Sequence, residues 1–434
     1  MPTRHRTGAA ADDDTAVSAG ATGDSKGTMS GTSHSSPGQT RARLLRGKGR
    51  GRNRQVRRRR RLVRRSVLGV LLILLVPVLY SYTTTMLRPS SLPLGIRSVE
   101  WLRTNHGAWL VDEAERLYYT WNAPKKGGPA LQTLPIVGAA PVKTARPRAH
   151  VYRPSAVAPL LHPILPGEGI WRSSGRIVGG GPPVLVTTFR SEAAYPRIVA
   201  YVAWFDHTRT QLALYPGRYE PPGASPRGPM EVPQSQRWRL LATFNSGFLH
   251  RDSNGGFFVD GDSVAPLRQG QGTIVAYKNG RVDVVSWHGG PTPPGDVVLA
   301  RQNLPLIVSH GKPNPQLGNG SLWGSTLGNA IRVWRSGVGI DRHGNLIYAA
   351  ATDQTAATLG NILIRAGAVR AVELDINAEW PSLITYGRGG VGNATKIVPN
   401  TQQSTGRYLV PDDRDFFAVY RRTTAGALRS VPFR

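Results

Sequence analysis

The stretch from Gly367 to Trp380, GAVRAVELDINAEW, contains the pattern that decides the fold. From Ala371 onward two sets of residues alternate. The apolar set is Val372, Leu374, Ile376, Ala378 and Trp380, and the polar set is Glu373, Asp375, Asn377 and Glu379. Such alternation predicts a half-buried β-strand with one polar face.

The polar face of this predicted strand is unusual in composition. Successive carboxylates would lie about 6.6 Å apart along it, and they repel one another unless one is protonated or paired with a cation. Between Glu373 and Glu379 there is no Lys or Arg, and Asp and Asn are poor strand formers. The pattern therefore favours a functional site at a strand end over an ordinary solvated face.

A basic run and an apolar segment precede the folded part of the chain. Arg41–Arg65 holds fourteen Arg or Lys residues and no acid. Ser66–Leu87 follows, and its 22 residues would form a helix of about 33 Å, enough to cross a bilayer. Bases before such a segment keep the N-terminus in the cytoplasm. No small-residue cleavage site follows it, so it is interpreted as an uncleaved signal anchor rather than a signal peptide. A buried soluble helix is the alternative.

The anchor decides how the basic run is interpreted. A run of this kind alone would indicate nucleic-acid binding, but before a membrane span it is a topology signal that also contacts anionic lipid. We therefore expect a single-pass membrane protein with no nucleic-acid partner and with everything after Arg88 outside the cytoplasm. A structural protein whose cytoplasmic tail binds nucleic acid is the weaker alternative.

Composition divides the chain into four parts. Residues 1–65 form a basic cytoplasmic tail, predicted to be disordered because residues 1–40 have few large apolar groups. Residues 66–87 are the anchor. Residues 88–166 form a stalk, helical over Leu92–Trp121 and then rich in Pro and Gly. Residues 167–434 form the main domain. The chain has no cysteine, which excludes disulfides and thiolate chemistry.

Short β-branched and aromatic runs dominate the main domain. Hairpins are predicted at Asn279-Gly280 and across Asp341–Asn345. A helix is predicted over Thr358–Ala366, ended by Gly367 and leading into the acidic strand. With many strands and few helices, the fold class is α+β, with mixed, strand-dominated sheets.

Two further segments contain candidate site residues. In ATFNSGF a strand runs into Asn245, Ser246 and Gly247, a turn that exposes an amide side chain, unless it is a plain turn. In VWRSGVGI, Arg335 lies among apolar residues beside glycines, and it needs a carboxylate or phosphate partner, either functional or structural. Asp260 and Asp262 of NGGFFVDGD are interpreted as turn residues rather than a second carboxylate source.

The order of these motifs resembles the phosphodiester glycosidase family, and in longer phrases a membrane-anchored actinobacterial branch of it. Asn245–Phe248 matches the family's Asn-Gly-Gly-Phe, with Ser246 in place of the first Gly. Arg335, Gly339 and Ile340 match its Arg and Gly-Ile, and Leu374-Asp375 matches its Leu-Asp. The Gly-rich loop that follows in the family is replaced by Ile376–Trp380. The resemblance covers about residues 167–421.

The resemblance implies an enzyme that breaks a sugar C1–O bond to a phosphate ester, through an oxocarbenium-like transition state. Asp375 is the expected nucleophile or base, Arg335 the bidentate phosphate clamp and Glu379 the second carboxylate. If the strand were fully extended, Asp375 and Glu379 would lie about 13 Å apart. A two-carboxylate mechanism needs roughly 5–9.5 Å. Either the strand bends before Trp380, or the partner of Asp375 is Glu373 or an aspartate from another loop.

Substrate contacts are expected from the remaining members of the motifs. These are Asn245, Gly247, Gly339, Asn377, Trp380 as a stacking platform, and Glu373. No cofactor is expected, although a Ca²⁺ held by Asp375, Asn377 and Glu379 is an alternative.

The predicted function is that of an extracytoplasmic, membrane-tethered hydrolase that cleaves a sugar-1-phosphodiester bond in an envelope glycan. Its partner would be an anionic or phosphodiester-linked glycan. The alternative is a non-catalytic binder of anionic envelope polysaccharide on the same fold. The sequence leaves the sugar, the aglycone and the oligomeric state open.

Overall fold

A computed structural model describes residues 41–139, 152–222, 228–324, 332–399 and 403–423 of the chain. The predicted disorder of residues 1–40 lies outside these ranges. The chain divides into two compact units, Met1–Pro77 and Val78–Arg434.

The first helix, α1, spans Arg41–Leu87. It therefore includes the basic run as well as the predicted anchor, because arginine is a good helix former. Its segment Arg54–Leu87 is long and apolar enough to cross a membrane, with a mean hydropathy of 2.2 over its best window. The predicted apolar N-terminal helix is confirmed.

Four shorter helices follow, and the sheets are built from eighteen strands within the described residues. The helices are α2 Leu94–Leu102, α3 Ala108–Trp121, α4 His250–Ser253 and α5 Ala356–Arg365. The strands are β1 Arg172–Ser173, β2 Val184–Glu192, β3 Tyr195–Phe205, β4 Thr210–Tyr215, β5 Leu240–Asn245, β6 Phe257–Val259, β7 Asp262–Ala265, β8 Gly272–Tyr277, β9 Val282–Ser286, β10 Val297–Gln302, β11 Leu306–Ser309, β12 Lys312–Pro313, β13 Val333–Asp341, β14 Leu346–Gln354, β15 Ala368–Glu373, β16 Leu383–Tyr386, β17 Ala394–Lys396 and β18 Phe416–Arg421.

The strands form three sheets whose neighbouring strands run antiparallel. The largest has the order β1-β2-β3-β14-β13-β15-β11-β12, and the two five-stranded sheets have the orders β7-β6-β10-β8-β9 and β17-β16-β5-β18-β4. One apolar core joins residues of all three sheets. The α+β class with strand-dominated sheets is confirmed.

The helix α5 forms where the sequence predicts it, although it begins at Ala356 rather than Thr358. Thr355 caps the helix by accepting a hydrogen bond from the backbone N–H of Thr358. Leu359, Ile362 and Leu363, spaced along one side, are fully buried and pack in the core on one face of the large sheet. Gly367, with φ of 102°, ends the helix in a conformation that favours glycine.

The acidic strand is shorter than predicted. β15 ends at Glu373, and the chain then turns. Asp375 Oδ1 accepts from the backbone N–H of Asn377 at 2.9 Å, and Asn377 Oδ1 accepts from that of Glu379 at 3.0 Å. These side chains bind the backbone in place of a neighbouring strand. The predicted strand from Ala371 to Trp380 is wrong beyond Glu373, and so is its half-buried character, because Glu373 and Asp375 are both buried.

The predicted stalk helices are present and are not isolated. Leu92–Trp121 contains α2 and α3, joined by a π-helical turn over Arg103–Gly107. Gly107 lies at the junction, where a Cβ would meet the side chain of Leu102 at 2.3 Å. Both helices belong to the same compact unit as the sheets, and this brings their side chains to the candidate site.

Candidate active site

A cavity of about 530 Å³ lies where the acidic loop, the loop after β5 and the helix α3 meet. Its charged lining is mixed: the guanidinium groups of Arg103, Arg251 and Arg414, and the carboxylates of Asp112, Glu115, Asp252 and Asp375. A site with both signs of charge can hold a phosphate while keeping carboxylates at a sugar.

Asp375, the aspartate of the Leu-Asp motif, lines this cavity together with Phe248, Asn377 and Trp380. It is buried, with 5 % exposure, and its Oδ2 accepts from Arg414 Nη2 at 2.6 Å. Burial raises the pKa of Asp375, and the Arg414 guanidinium and the backbone N–H of Asn377 oppose this rise. The carboxylate is thus held in place on both oxygens and partly desolvated, as a nucleophile or base requires.

Arg414, which the sequence analysis missed, is the cation that pairs with Asp375. Its Nη2 also donates to the carbonyl of Gly247 at 3.2 Å, and its guanidinium carbon lies 4.7 Å from the ring centroid of Trp380. Burial lowers the pKa of Arg414, but Asp375 and other nearby carboxylates raise it further, so the net shift is upward. This arginine therefore stays charged at the cavity wall.

Asn245 lies behind the cavity and supports Asp375. Its Oδ1 accepts from Tyr348 Oη at 2.8 Å and from the backbone N–H of Ser382 at 3.0 Å. Its Nδ2 donates to Ser336 Oγ at 3.0 Å, and Ser336 Oγ donates to the carbonyl of Asp375 at 2.9 Å. Because both Oδ1 and Nδ2 of Asn245 bond protein groups, Asn245 is interpreted as a residue that positions Asp375.

Arg335 and Glu373 form a second buried pair, away from the cavity lining. Arg335 Nη1 donates to Glu373 Oε1 at 2.6 Å and to the carbonyl of Trp323 at 3.0 Å. Its Nε donates to the carbonyl of Gln354 at 2.8 Å. Burial raises the pKa of Glu373, and Arg335 opposes this shift. The arginine predicted as a phosphate clamp thus binds three protein groups.

Glu379 does not line the cavity with Asp375. It lies along a neighbouring groove between α3 and the sheets, and burial followed by the charge of Glu100 raises its pKa. Of the two arrangements expected from the sequence, the chain adopts the bend before Trp380, but the bend turns Glu379 away from the cavity.

The alternative calcium site does not fit this geometry. The oxygens of Asp375 are taken by Arg414 and a backbone N–H, and Asn377 Oδ1 is taken by the N–H of Glu379. A guanidinium thus occupies the position that a cation would need. Across the described part of the chain, no group of three or more His, Asp or Glu residues is placed to hold a metal ion.

Trp380 lines the cavity but is almost fully covered, with 2 % exposure. It packs with Leu92 and Ile96, at the start of the helical segment, and lies between Arg414 and Arg407. An exposed stacking platform, as predicted, would need this segment to move.

The two glycines of the motifs differ in position. Gly247 lies beside the site, and a Cβ there would meet Asn303 Cγ at 2.9 Å. Gly339 lies inside the large sheet, opposite Ala371 and Ile347, and a Cβ there would meet Ala368 Cβ at 2.7 Å. Gly339 therefore serves close strand packing and does not line the cavity.

Asp252 and Arg103 are further cavity residues that the sequence analysis missed. Asp252 follows the Asn245–Phe248 motif, and burial raises its pKa while Arg251 and Arg414 oppose the rise. Arg103 comes from the π-helical turn after α2. The only sequence signal for Asp252 and Arg414 was their place in charged clusters, HRD and PDDRD. Asp260 lies in the turn between β6 and β7, as interpreted, whereas Asp262 is the first residue of β7.

Comparison with known proteins agrees with the motifs. The family model described as phosphodiester glycosidase matches residues 239–375, which contain Asn245, Asp252, Arg335 and Asp375. The predicted resemblance to the phosphodiester glycosidase family is thereby confirmed over this segment.

Two solved structures are also similar to the chain, each at 12 % sequence identity. One is the zebrafish N-acetylglucosamine-1-phosphodiester alpha-N-acetylglucosaminidase catalytic domain, auto-inhibited by pro-peptide, with 57 % of this chain and 87 % of that chain covered and a TM-score of 0.40. The other is a hypothetical protein from Synechocystis, with 58 % and 64 % covered and a TM-score of 0.32. No curated protein matches the chain.

Proposed function

We propose that this chain is a membrane-anchored glycosidase that cleaves the sugar-1-phosphodiester bond of an envelope glycan outside the cytoplasm. The observation that carries the proposal is the position of Asp375. This residue matches the aspartate of the family's Leu-Asp pair, and it lies at the wall of a cavity that guanidinium groups also line.

In the proposed reaction, Asp375 acts at the anomeric carbon as nucleophile or base. Its carboxylate is fixed by Arg414 and Asn377, while the Asn245–Ser336 hydrogen bonds hold its backbone. A phosphate ester leaves readily, so the main requirement is a cation at the developing negative charge. Arg414 supplies it in place of Arg335.

The second carboxylate is Asp252 rather than Glu379. It lines the same cavity as Asp375, and its raised pKa favours the protonated form that a general acid needs. After proton transfer to the leaving oxygen, the same group can accept a proton from water in the second step of a retaining reaction.

The proposed topology places residues 1–65 in the cytoplasm and residues 88–434 outside. It rests on the fourteen bases of Arg41–Arg65 before the apolar part of α1. A reporter fused after Arg434 should be active only outside the cytoplasm. Activity of a cytoplasmic reporter would contradict both the topology and an envelope substrate.

A non-catalytic glycan binder remains the second candidate. The observation that favours it is the replacement of the family's Gly-rich loop by Ile376–Trp380, which leaves Asp375 engaged with Arg414. Such a protein would bind the same phosphodiester without releasing sugar.

The deciding experiment measures release of reducing sugar from sugar-1-phosphodiesters by the purified full-length protein and by Asp375→Asn. We expect release by the wild type and a loss of about 10³-fold or more in the variant, because the amide is neither nucleophile nor base. Asp353→Asn is the matched control, since Asp353 does not line the cavity and an asparagine tolerates its positive φ. Binding without release by the wild type would instead establish the binder.

A further inference from the structure

The apolar side of α3 is largely exposed in the part of the chain that the structure describes. Leu110, Ala114, Leu117, Tyr118 and Trp121 are spaced along one side of this helix, a pattern that predicts packing against a core. Instead Leu110 is 47 %, Tyr118 61 % and Trp121 80 % exposed. An exposed apolar surface of this kind marks an interaction site.

An open apolar groove of about 630 Å³ runs between this side of the helix and the sheets. Its apolar lining includes Val99, Leu102, Leu110, Tyr118 and Trp334. Glu115 and Asn377 line both this groove and the cavity that holds Asp375. The groove and the cavity therefore adjoin. The cavity is charged, and the groove is mainly apolar apart from Glu115 and Glu379.

The charged cavity offers two hydrogen-bond donors that no described residue accepts. The Nε groups of Arg103 and Arg414 are buried and unpartnered in the part of the chain that the structure describes. Their other nitrogens are used, Arg103 Nη2 on Glu115 at 2.5 Å and Arg414 Nη2 on Asp375 at 2.6 Å. Two such donors in one cavity fit the oxygens of a phosphate group.

The groove also lies next to the membrane-proximal end of the anchor helix. In α2, Trp101 Nε1 donates to Ser81 Oγ at 3.1 Å, and Arg97 Nη2 donates to the carbonyl of Arg88 at 2.8 Å. α2 and α3, which form one wall of the groove, are thus tied to the last turns of α1.

We propose that the substrate is a lipid-linked sugar phosphate, in which the sugar-1-phosphodiester carries a long hydrocarbon chain as its aglycone. The phosphate binds between Arg103 and Arg414, and the chain lies in the groove along α3. This inference rests on the proposed function and narrows its substrate. Contact with a bilayer surface alone would cover Trp121, but it would not account for a mainly apolar groove that adjoins two guanidinium groups whose Nε atoms have no partner among the described residues.

The test compares two substrates that share one sugar and one phosphodiester but differ in the aglycone, methyl or a long isoprenoid chain. The full-length protein is used in detergent micelles, and the readout is the ratio of kcat/KM for the long-chain substrate over the methyl substrate. For the wild type we expect a ratio of at least about ten, because many apolar groups leave water in the groove.

Two variants locate the source of this preference. Ala114→Trp fills the groove and should bring the ratio close to one. Leu110→Gln should lower it as well, and provides a second measurement if the first variant does not fold. Thr120→Trp, on α3 but outside the groove lining, is the size-matched control and should keep the wild-type ratio.

The phosphate end is tested with inorganic phosphate as a competitive inhibitor. Arg103→Gln should weaken this inhibition and lower kcat/KM for both phosphodiesters in parallel. Unchanged inhibition would overturn the role of Arg103.

The outcomes separate this inference from the proposed function. A wild-type ratio near one, with clear cleavage of the methyl substrate, would overturn the lipid-linked substrate and leave the glycosidase intact. A ratio that Ala114→Trp and Leu110→Gln do not change would also overturn it. No cleavage of either substrate would contradict the proposed function itself.

Discussion

Two buried arginine–carboxylate pairs lie on either side of the bend after β15. Arg335–Glu373 and Arg414–Asp375 are equally short, at 2.6 Å, and all four side chains are nearly inaccessible. They differ in the other contacts of the two arginines. Arg335 donates to the backbone carbonyls of Trp323 and Gln354, whereas Arg414 faces a cavity with an unpartnered Nε.

The comparison shows that a motif arginine is not functional merely because it is buried beside an acid. The hydrogen bonds that Nε and Nη1 of Arg335 make all go to protein groups, and Arg335 does not line the cavity, which is typical of an arginine that stabilises the fold. One that lines a cavity and keeps a donor free can bind a ligand. We therefore propose a functional role for the pair containing Arg414 and a structural role for the pair containing Arg335.

The largest effect on stability is expected from Arg335→Met. The change leaves the carboxylate of Glu373 buried without its cation, and removing one partner of a buried pair costs about 3–5 kcal/mol. The measurement is the free energy of unfolding of the full chain in detergent micelles. Arg116→Met is the control, since the Arg116–Glu113 pair is about half exposed and its loss should change the free energy of unfolding very little.

The opposite result for Arg335→Met would contradict the proposed difference between the two arginine pairs. If stability stayed near that of the wild type while phosphodiester cleavage was lost, Arg335 would be the phosphate-binding residue after all. The motif-based prediction would then be restored.

How far the sequence predicts this molecule depends on whether a feature is local. The helix α5, its Gly367 terminus and the hairpin at Asn279-Gly280 were predicted because capping and turn residues lie within a few positions of one another. The strands β10 and β16 were missed because they are defined by pairing with distant segments, such as β6 and β5. No local pattern records such partners.

The site divides in the same way. Asp375 belongs to a contiguous motif and was predicted, whereas Arg414 and Arg103 come from segments that only the tertiary structure brings to the cavity. The predicted length of the acidic strand was wrong because hydrogen bonds from nearby side chains to the backbone were underestimated. Asp375 and Asn377 each accept a hydrogen bond from a backbone N–H two positions on, and this competes with strand pairing.

A smaller effect, on activity, is expected from Arg414→Gln. Loss of one cationic donor at the developing charge should reduce kcat by about 100-fold. Because Arg414 opposes the rise in the pKa of Asp375 that burial causes, its removal should raise that pKa further. A base must be deprotonated, so the acidic limb of the pH–rate profile should move to higher pH.

Arg414→Lys distinguishes this role from a purely structural one. Lysine keeps the charge but loses the planar fork, so the acidic limb should stay near its wild-type position while kcat still falls. If the acidic limb does not move in Arg414→Gln, Arg414 does not control the pKa of Asp375. The proposed functional difference between the two arginine pairs would then be contradicted.

The smallest effect concerns Glu379, the third carboxylate of the acidic row, which belongs to neither pair. Its Oε2 is buried without a hydrogen-bond partner among the described residues, and burial raises its pKa above the ordinary value of 4.5. Its contribution to stability is therefore fully present below pH 4.5 and is lost as the pH rises through the raised pKa. Glu379→Gln avoids this loss, so it should stabilise the protein by about 1 kcal/mol at pH 7 and have little effect near pH 4. Glu113→Gln is the control with the opposite sign, since Arg116 lowers the pKa of that exposed glutamate, and its replacement should slightly destabilise the protein at pH 7. Thermal unfolding at the two pH values measures both variants.

A Glu379→Gln protein that is stable but loses cleavage to the same extent as Asp375→Asn would show that the catalytic site extends into the groove, and Glu379 would then replace Asp252 as the second carboxylate.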